Sequence, residues 1–184
     1  MLDSALDQVV DDGGTDTIRA SFSTTLASGF ENLLLLLGAA GLRGTGNAAN
    51  NTITGNAGSN VLDGAGGVDT VSHAAARAYV VAALDKTGPQ TTHAGNDTLL
   101  NFENLPGSGY NATLHGNADA NVLNGGNGID TVSHARATAA VTVSLALTSA
   151  QNTPGAGSDT LATFENLTGS GFADRLTGGS GETC

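Results

Sequence analysis

"GNAANNTITGNAGSNVLDGAGGVDTVS", residues 46–72, is three nine-residue steps laid end to end: GNAANNTIT (46–54), GNAGSNVLD (55–63) and GAGGVDTVS (64–72). Each step opens on a turn rich in Gly and Asn and closes on a polar–apolar–polar triplet, with Ile53, Leu62 or Val71 in the middle. One apolar residue in nine is too sparse for an amphipathic helix, which needs three or four in every two turns. It suits a three-residue strand that turns a single side chain inward, because neighbouring strand side chains point to opposite faces. Glycine lets the corners take the left-handed backbone. Two steps per coil then stack the inward aliphatics into a narrow core. The expected fold is all-β: a right-handed parallel β-roll, or β-solenoid, with coils about 4.8 Å apart.

Working outward, the pattern recurs. GSGYNATLH (107–115), GNADANVLN (116–124) and GGNGIDTVS (125–133) form a second run, and GSGFADRLT (169–177) begins a third. The segment starting at Asn56 realigns with the one starting at Asn117, and GNDTLLNFENL from Gly95 realigns with GSDTLATFENL from Gly157. A worn first copy shows in GGTDTI (13–18) and GFENL (29–33). The chain therefore reads as one array of three units, roughly 11–68, 69–129 and 130–184, with no compositional break to mark a linker. The longer VSHA and DTL…FENL segments alternate apolar with polar residues and read as wider coils of the same solenoid. GGSGETC stops inside a repeat, so the array is expected to be a piece of a larger protein.

Bulk composition narrows the partners. Seventeen acids against six bases give a formal charge of -11, a field that repels phosphate backbones and anionic lipid and attracts cations. Nucleic acid is excluded as a natural partner. The LLLLL run at 33–37 is far shorter than the roughly 20 residues that span a bilayer, so no membrane insertion is expected. The N-terminal MLDSALDQVVDDGG has acids where an export signal needs bases. Cys184 is the one cysteine, so no internal disulfide closes the fold.

GGNGIDTVS resembles the hemolysin-type (RTX) calcium-binding repeat G-G-x-G-x-D-x-U-x at every specified position, and the connectors look like the spacers between such repeats. The resemblance covers nearly the whole chain after Asp11 and implies Ca2+ held in the turns by the position-six carboxylate and turn carbonyls, as suits a hard, oxygen-seeking ion. Carried over, position six falls on Asn51, Asn60 and Asp69, then on Ala112, Asn121 and Asp130, and lastly on Asp174. Asp16, Asp97 and Asp159 occupy related G-x-D-T turns. The implied metal residues are Asp130, Asp69, Asp174, Asp97, Asp159, Asp16, Gly125, Gly126, Gly128 and Asn51. The sequence also departs from the pattern: with eighteen residues per coil, Asp69 stacks over Asn51 and Asp130 over Ala112, while Asp174 needs a partner beyond the chain end. No tandem pair offers two position-six carboxylates, so closure at least partly without metal is expected.

Other chemistry is thin. His73 and His134 share a place in VSHA, which marks a repeated structural role, and His93 and His115 lack ligands at metal spacing. Glu31, Glu103 and Glu165 recur in FENL, which points to buried hydrogen bonding or capping and not to catalysis. No nucleophile elbow, zinc-protease helix or phosphate loop is present, so no enzymatic activity is expected. By resemblance, the chain is a calcium-stabilised module of a bacterial protein that leaves through type I secretion and folds outside the cell. Two alternatives stay open: a metal-independent spacer of an adhesin or surface protein, and a non-catalytic carrier module of a secreted enzyme whose other domains adjoin it.

Overall fold

The computed structural model describes residues 9–11, 13–36, 41–74, 76–92 and 95–179. Leu37, His93 and Cys184 lie outside the described residues. Alternation of one inward aliphatic per short strand produces nineteen strands, with no helix among the described residues.

One face is an eight-stranded sheet. It runs β1 (Thr17–Ala20), β3 (Asn32–Leu35), β5 (Thr52–Thr54), β7 (Thr70–Ser72), β11 (Asn104–Ser108), β13 (Val122–Gly126), β17 (Gly157–Ala162) and β16 (Gln151–Thr153). The intervening strands form a second sheet, β2 (Thr24–Thr25), β4 (Arg43–Thr45), β6 (Val61–Asp63), β10 (Asn96–Leu100) and β9 (Gln90–Thr91). A third holds β8 (Val80–Ala83), β12 (Ala112–His115), β14 (Thr131–Ser133) and β18 (Asn166–Thr168). β15 (Thr142–Ser144) pairs with β19 (Arg175–Thr177). Consecutive strands thus cross from one sheet to another, as a coil requires.

The register shows the expected coil. β5 pairs with β7 as Ile53↔Val71, β4 with β6 as Gly44↔Leu62, β11 with β13 as Leu105↔Leu123 and β12 with β14 as Leu114↔Val132, all parallel. Each partner lies two nonamers along the chain. Inward side chains then form columns: Ile18, Leu33, Ile53 and Val71 in one, and Leu105, Leu123 and Leu161 in another, all buried. Burying each such side chain stabilises the fold by about 1.5–3 kcal/mol. Phe30, Phe102 and Phe164 of the FENL segments are buried too and fill the wider coils. Leu176 is the exception: it pairs with Val143 but is 44% exposed, because no described strand pairs with β19 on its other side.

The spacers are not simply wider coils. β8 lies beyond β10 and pairs with β12 of the next unit, so the chain must return to fill the place beside β6. It does so through β9, which runs antiparallel to β10. The second spacer repeats this with β16 against β17. One side chain joins the leap to the return. Gln90 Nε2 donates to the Ala83 carbonyl at 2.8 Å and its Oε1 accepts from the Ala83 N–H at 2.8 Å. Gln151 makes the same pair of bonds to Ser144, at 2.8 and 2.7 Å. A primary amide thus stands in for a strand. Gln90→Met, which keeps the length and loses both bonds, should cost about 2 kcal/mol by leaving Ala83 unpaired in the interior. Chemical denaturation of variant and parent measures this directly.

Candidate metal centre

Every nonamer begins with a glycine whose missing Cβ leaves room for its own position-six side chain. A Cβ on Gly64 would sit 2.7 Å from Asp69 Oδ2, one on Gly125 2.7 Å from Asp130 Oδ2, and one on Gly55 2.7 Å from Asn60 Oδ1. From that seat each carboxylate reaches back one coil. Asp69 Oδ1 accepts from Asn51 N at 2.7 Å, Asp130 Oδ1 from Ala112 N at 2.5 Å, and Asp97 Oδ1 from Asn60 N at 2.8 Å. Asp159 Oδ1 accepts from Asn121 N at 3.1 Å and Asp174 Oδ1 from Val141 N at 2.9 Å. Asp174 thus bonds the preceding coil as the other carboxylates do.

The FENL glutamates extend the same ladder. Glu31 Oε2 accepts from Asp16 N at 2.9 Å, Glu103 Oε2 from Asp69 N at 2.7 Å and Glu165 Oε2 from Asp130 N at 2.8 Å. The hydrogen-bonding role expected of them is present, though Glu31 and Glu103 are only half-buried and Glu165 is exposed. Asp16, Asp69 and Asp130 are thereby each stacked beneath a Glu. These carboxylate pairs were not visible in the tandem nonamers, because their members are 15, 34 and 35 residues apart.

The Asn turns and the turns of Asp69 and Asp130 close differently, while the Asp174 turn closes as the Asn turns do, Ser170 N donating to Asp174 Oδ2 at 2.7 Å. In the Asn turns the position-two N–H caps the side chain: Asn47 N to Asn51 Oδ1 at 2.7 Å, Asn56 N to Asn60 Oδ1 at 2.9 Å, Asn117 N to Asn121 Oδ1 at 2.8 Å. Asn51 Nδ2 also donates to the Phe30 carbonyl, so Asn51 serves to tie its turn to the coil below. In the turns of Asp69 and Asp130, positions two and four are left-handed: Ala65 at φ 71° and Gly67 at 124°, Gly126 at 96° and Gly128 at 131°. That twist sends the position-two N–H elsewhere, Ala65 N to Asp63 Oδ1 and Gly126 N to Thr163 Oγ1. Asp69 Oδ2 and Asp130 Oδ2 are consequently buried with no hydrogen-bond partner.

A buried, unmatched carboxylate oxygen is costly as an anion. Burial, with Glu103 and Asp63 nearby, pushes Asp69 up to about 6 against the hydrogen bond from Asn51. Burial raises Asp130 and Asp97 as well, and lifts Asp159, whose Oδ2 is also unpartnered, to about 7. Asp97 differs in that Thr92 Oγ1 donates to its Oδ2 at 2.6 Å. Asp174 is half-buried and held below the usual carboxylate range by the Ser170 hydroxyl and the Val141 N–H. His73, His115 and His134 are buried and their basicity is lowered for that reason. Among the described residues no three His, Cys, Asp or Glu side chains converge as a metal cluster. A cation in the Asp turns must therefore draw largely on carbonyl oxygens, and the donor set fits a hard ion such as Ca2+.

The raised acids give a signed pH dependence. A folded-state value above the unfolded one means that folding takes up a proton, so the contribution is full at low pH and is lost as pH climbs through about 6 for Asp69 and about 7 for Asp159. In calcium-free buffer, Asp159→Asn should gain on the parent by about 2 kcal/mol between pH 5 and pH 8. The buried histidines act in the opposite direction but cancel in this comparison. Urea unfolding of both proteins across that range is the check; a constant gap would remove Asp159 as the source.

Neither a curated protein nor a solved structure gives a match to the chain. A family model does: the RTX calcium-binding nonapeptide repeat, in four copies, over residues 45–75, 106–133 and 162–182. Those segments hold the turns of Asp69, Asp130 and Asp174 with their Asn neighbours, and the two that follow the family pattern most closely, those of Asp69 and Asp130, are the ones whose position-six oxygen lacks a partner. Stacked parallel coils, glycine-seated position-six side chains and the matched segments together show that the chain carries RTX calcium-binding nonapeptide repeats across residues 45–182.

Proposed function

We propose that the chain is a calcium-stabilised β-roll module of an exported bacterial protein, in which Ca2+ enters the turns of Asp69 and Asp130 and locks coils that hydrogen bonds alone leave incomplete. One observation carries the reading: two buried carboxylate oxygens without partners, in turns whose left-handed positions withhold the N–H that caps every Asn turn. The calcium-free chain is not without support, because the Asn turns and the N–H to carboxylate ladder close by themselves. Calcium therefore adds to an existing coil. Such a module stays loosely held where calcium is scarce, as inside a cell, and tightens where it is plentiful outside.

The test is heat denaturation followed by far-UV circular dichroism, in EDTA and in millimolar calcium. An ion at a hundredfold excess over its Kd stabilises the folded form by about 2.7 kcal/mol, which for a chain of this length raises Tm by roughly 5–10 °C. The double variant Asp69→Asn/Asp130→Asn keeps the Oδ1 acceptors and should lose most of the shift. A parent Tm indifferent to calcium would instead favour the metal-independent spacer.

A further inference from the structure

The carbonyl that crowds the same glycine as each unpartnered carboxylate comes from the spacer and not from a nonamer. The place where a Cβ on Gly64 would stand is crowded by Asp69 Oδ2 at 2.7 Å and, closer still, by the carbonyl oxygen of Asn101. At Gly125 the same two roles fall to Asp130 Oδ2, at 2.7 Å, and the carbonyl oxygen of Thr163. Asn101 and Thr163 both sit at φ 55°, in the left-handed region, two residues ahead of Glu103 and Glu165. For Thr163 that backbone is expensive, because a β-branched residue rarely adopts it. Both residues are held there by side-chain bonds, Asn101 Nδ2 to Asp63 Oδ1 at 2.7 Å and Thr163 Oγ1 to Asn124 Oδ1 at 2.5 Å.

Each cradle thus gathers a buried carboxylate oxygen, a spacer carbonyl and a Glu already bonded to the Asp backbone, all of them acceptors. Acceptors brought together without a donor between them repel unless a cation joins them. The Asn turns are the internal control. Around Gly46, the Gly64 carbonyl and Asn51 Oδ1 approach in the same way, but there Asn47 N–H supplies the donor.

We infer that the spacer segments Asn101–Glu103 and Thr163–Glu165 supply half of two calcium sites, with Glu103 and Glu165 as the second carboxylates opposite Asp69 and Asp130. The inference rests on the calcium reading above. It gives the FENL glutamate a ligand role, and it makes each site span two coils whose members are more than thirty residues apart in the chain. The left-handed Asn101 and Thr163 act as positioning residues that aim the carbonyl.

Glu103→Gln and Glu165→Gln test this, since Gln keeps an oxygen for the Asp69 or Asp130 N–H and loses only the charge. Calcium titration by isothermal calorimetry should show two sites in the parent, with each single variant weakening one of them at least tenfold. Glu variants that bind like the parent, while Asp69→Asn/Asp130→Asn loses both sites, would overturn the inference and leave the calcium reading standing. A parent that binds no calcium would bring down both. Should a Gln variant fold poorly, carbon-13 NMR of the parent decides: the side-chain carboxyl carbons of Glu103 and Glu165 should move with calcium alongside those of Asp69 and Asp130. Glu signals that stay still while the Asp signals move would contradict the assignment.

Discussion

Leu123→Ala should destabilise the protein by about 3 kcal/mol, whereas Val122→Ala, one residue earlier on the same strand, should change stability by less than about 0.5 kcal/mol. Leu123 is fully buried and held in register between Leu105 and Leu161, while Val122 is 46% exposed. In a core only one side chain wide, a truncated residue has few neighbours able to collapse into the gap, so the cost should fall in the middle of the range measured for buried leucines. Equilibrium urea denaturation of both variants reads the difference. Similar losses at the two positions would mean that the inward column is misassigned, because a slip of one residue exchanges the faces of a strand.

The second large effect lies in the turns. Gly125→Ala should cost about 3 kcal/mol, while Gly66→Ala, in the equivalent turn one unit earlier, should be close to neutral. A Cβ on Gly125 would meet Asp130 Cβ at 2.6 Å and the Thr163 carbonyl, neither of which can move without shifting a buried strand. One on Gly66 meets nothing within 4 Å. The glycines of these turns are therefore not equivalent: the first makes room for the carboxylate and the third only turns the chain. Thermal melts separate the cases, and a tolerant Gly125 would show that the carboxylate does not occupy the seat described.

The coil itself was legible in residues 46–72. Its eighteen-residue stacking follows from a nine-residue period and two faces, and Ile53, Leu62 and Val71 could be placed inward from the triplets alone. The spacers were less legible. Nothing in "VVAALDKTGPQTTHAGNDTLL" states that β8 overshoots and β9 runs back, because each strand pattern reads the same in either direction. The signal that could have found it is the recurrence of Gln90 and Gln151 at the same place in both spacers, 61 residues apart.

The candidate site divides the same way. Asp69 and Asp130 were found through their turns, and their stacking over Asn51 and Ala112 is the one the structure shows. Their pairing with Glu103 and Glu165 was hidden because it depends on how many residues the spacer consumes before returning to the same edge. No local motif encodes that count. Asp174 bonds Val141 N of the preceding coil as the other position-six carboxylates bond theirs.

On the calcium reading proposed above, this roll is closed by hydrogen bonds at its Asn turns and by calcium at the turns of Asp69 and Asp130. Hydrogen–deuterium exchange with and without calcium tests it most directly. Protection should rise on adding the ion across residues 64–70 and 125–131 and stay nearly constant across 46–52, 55–61 and 116–122. Protection that rises equally in all five turns, or in none, would contradict it.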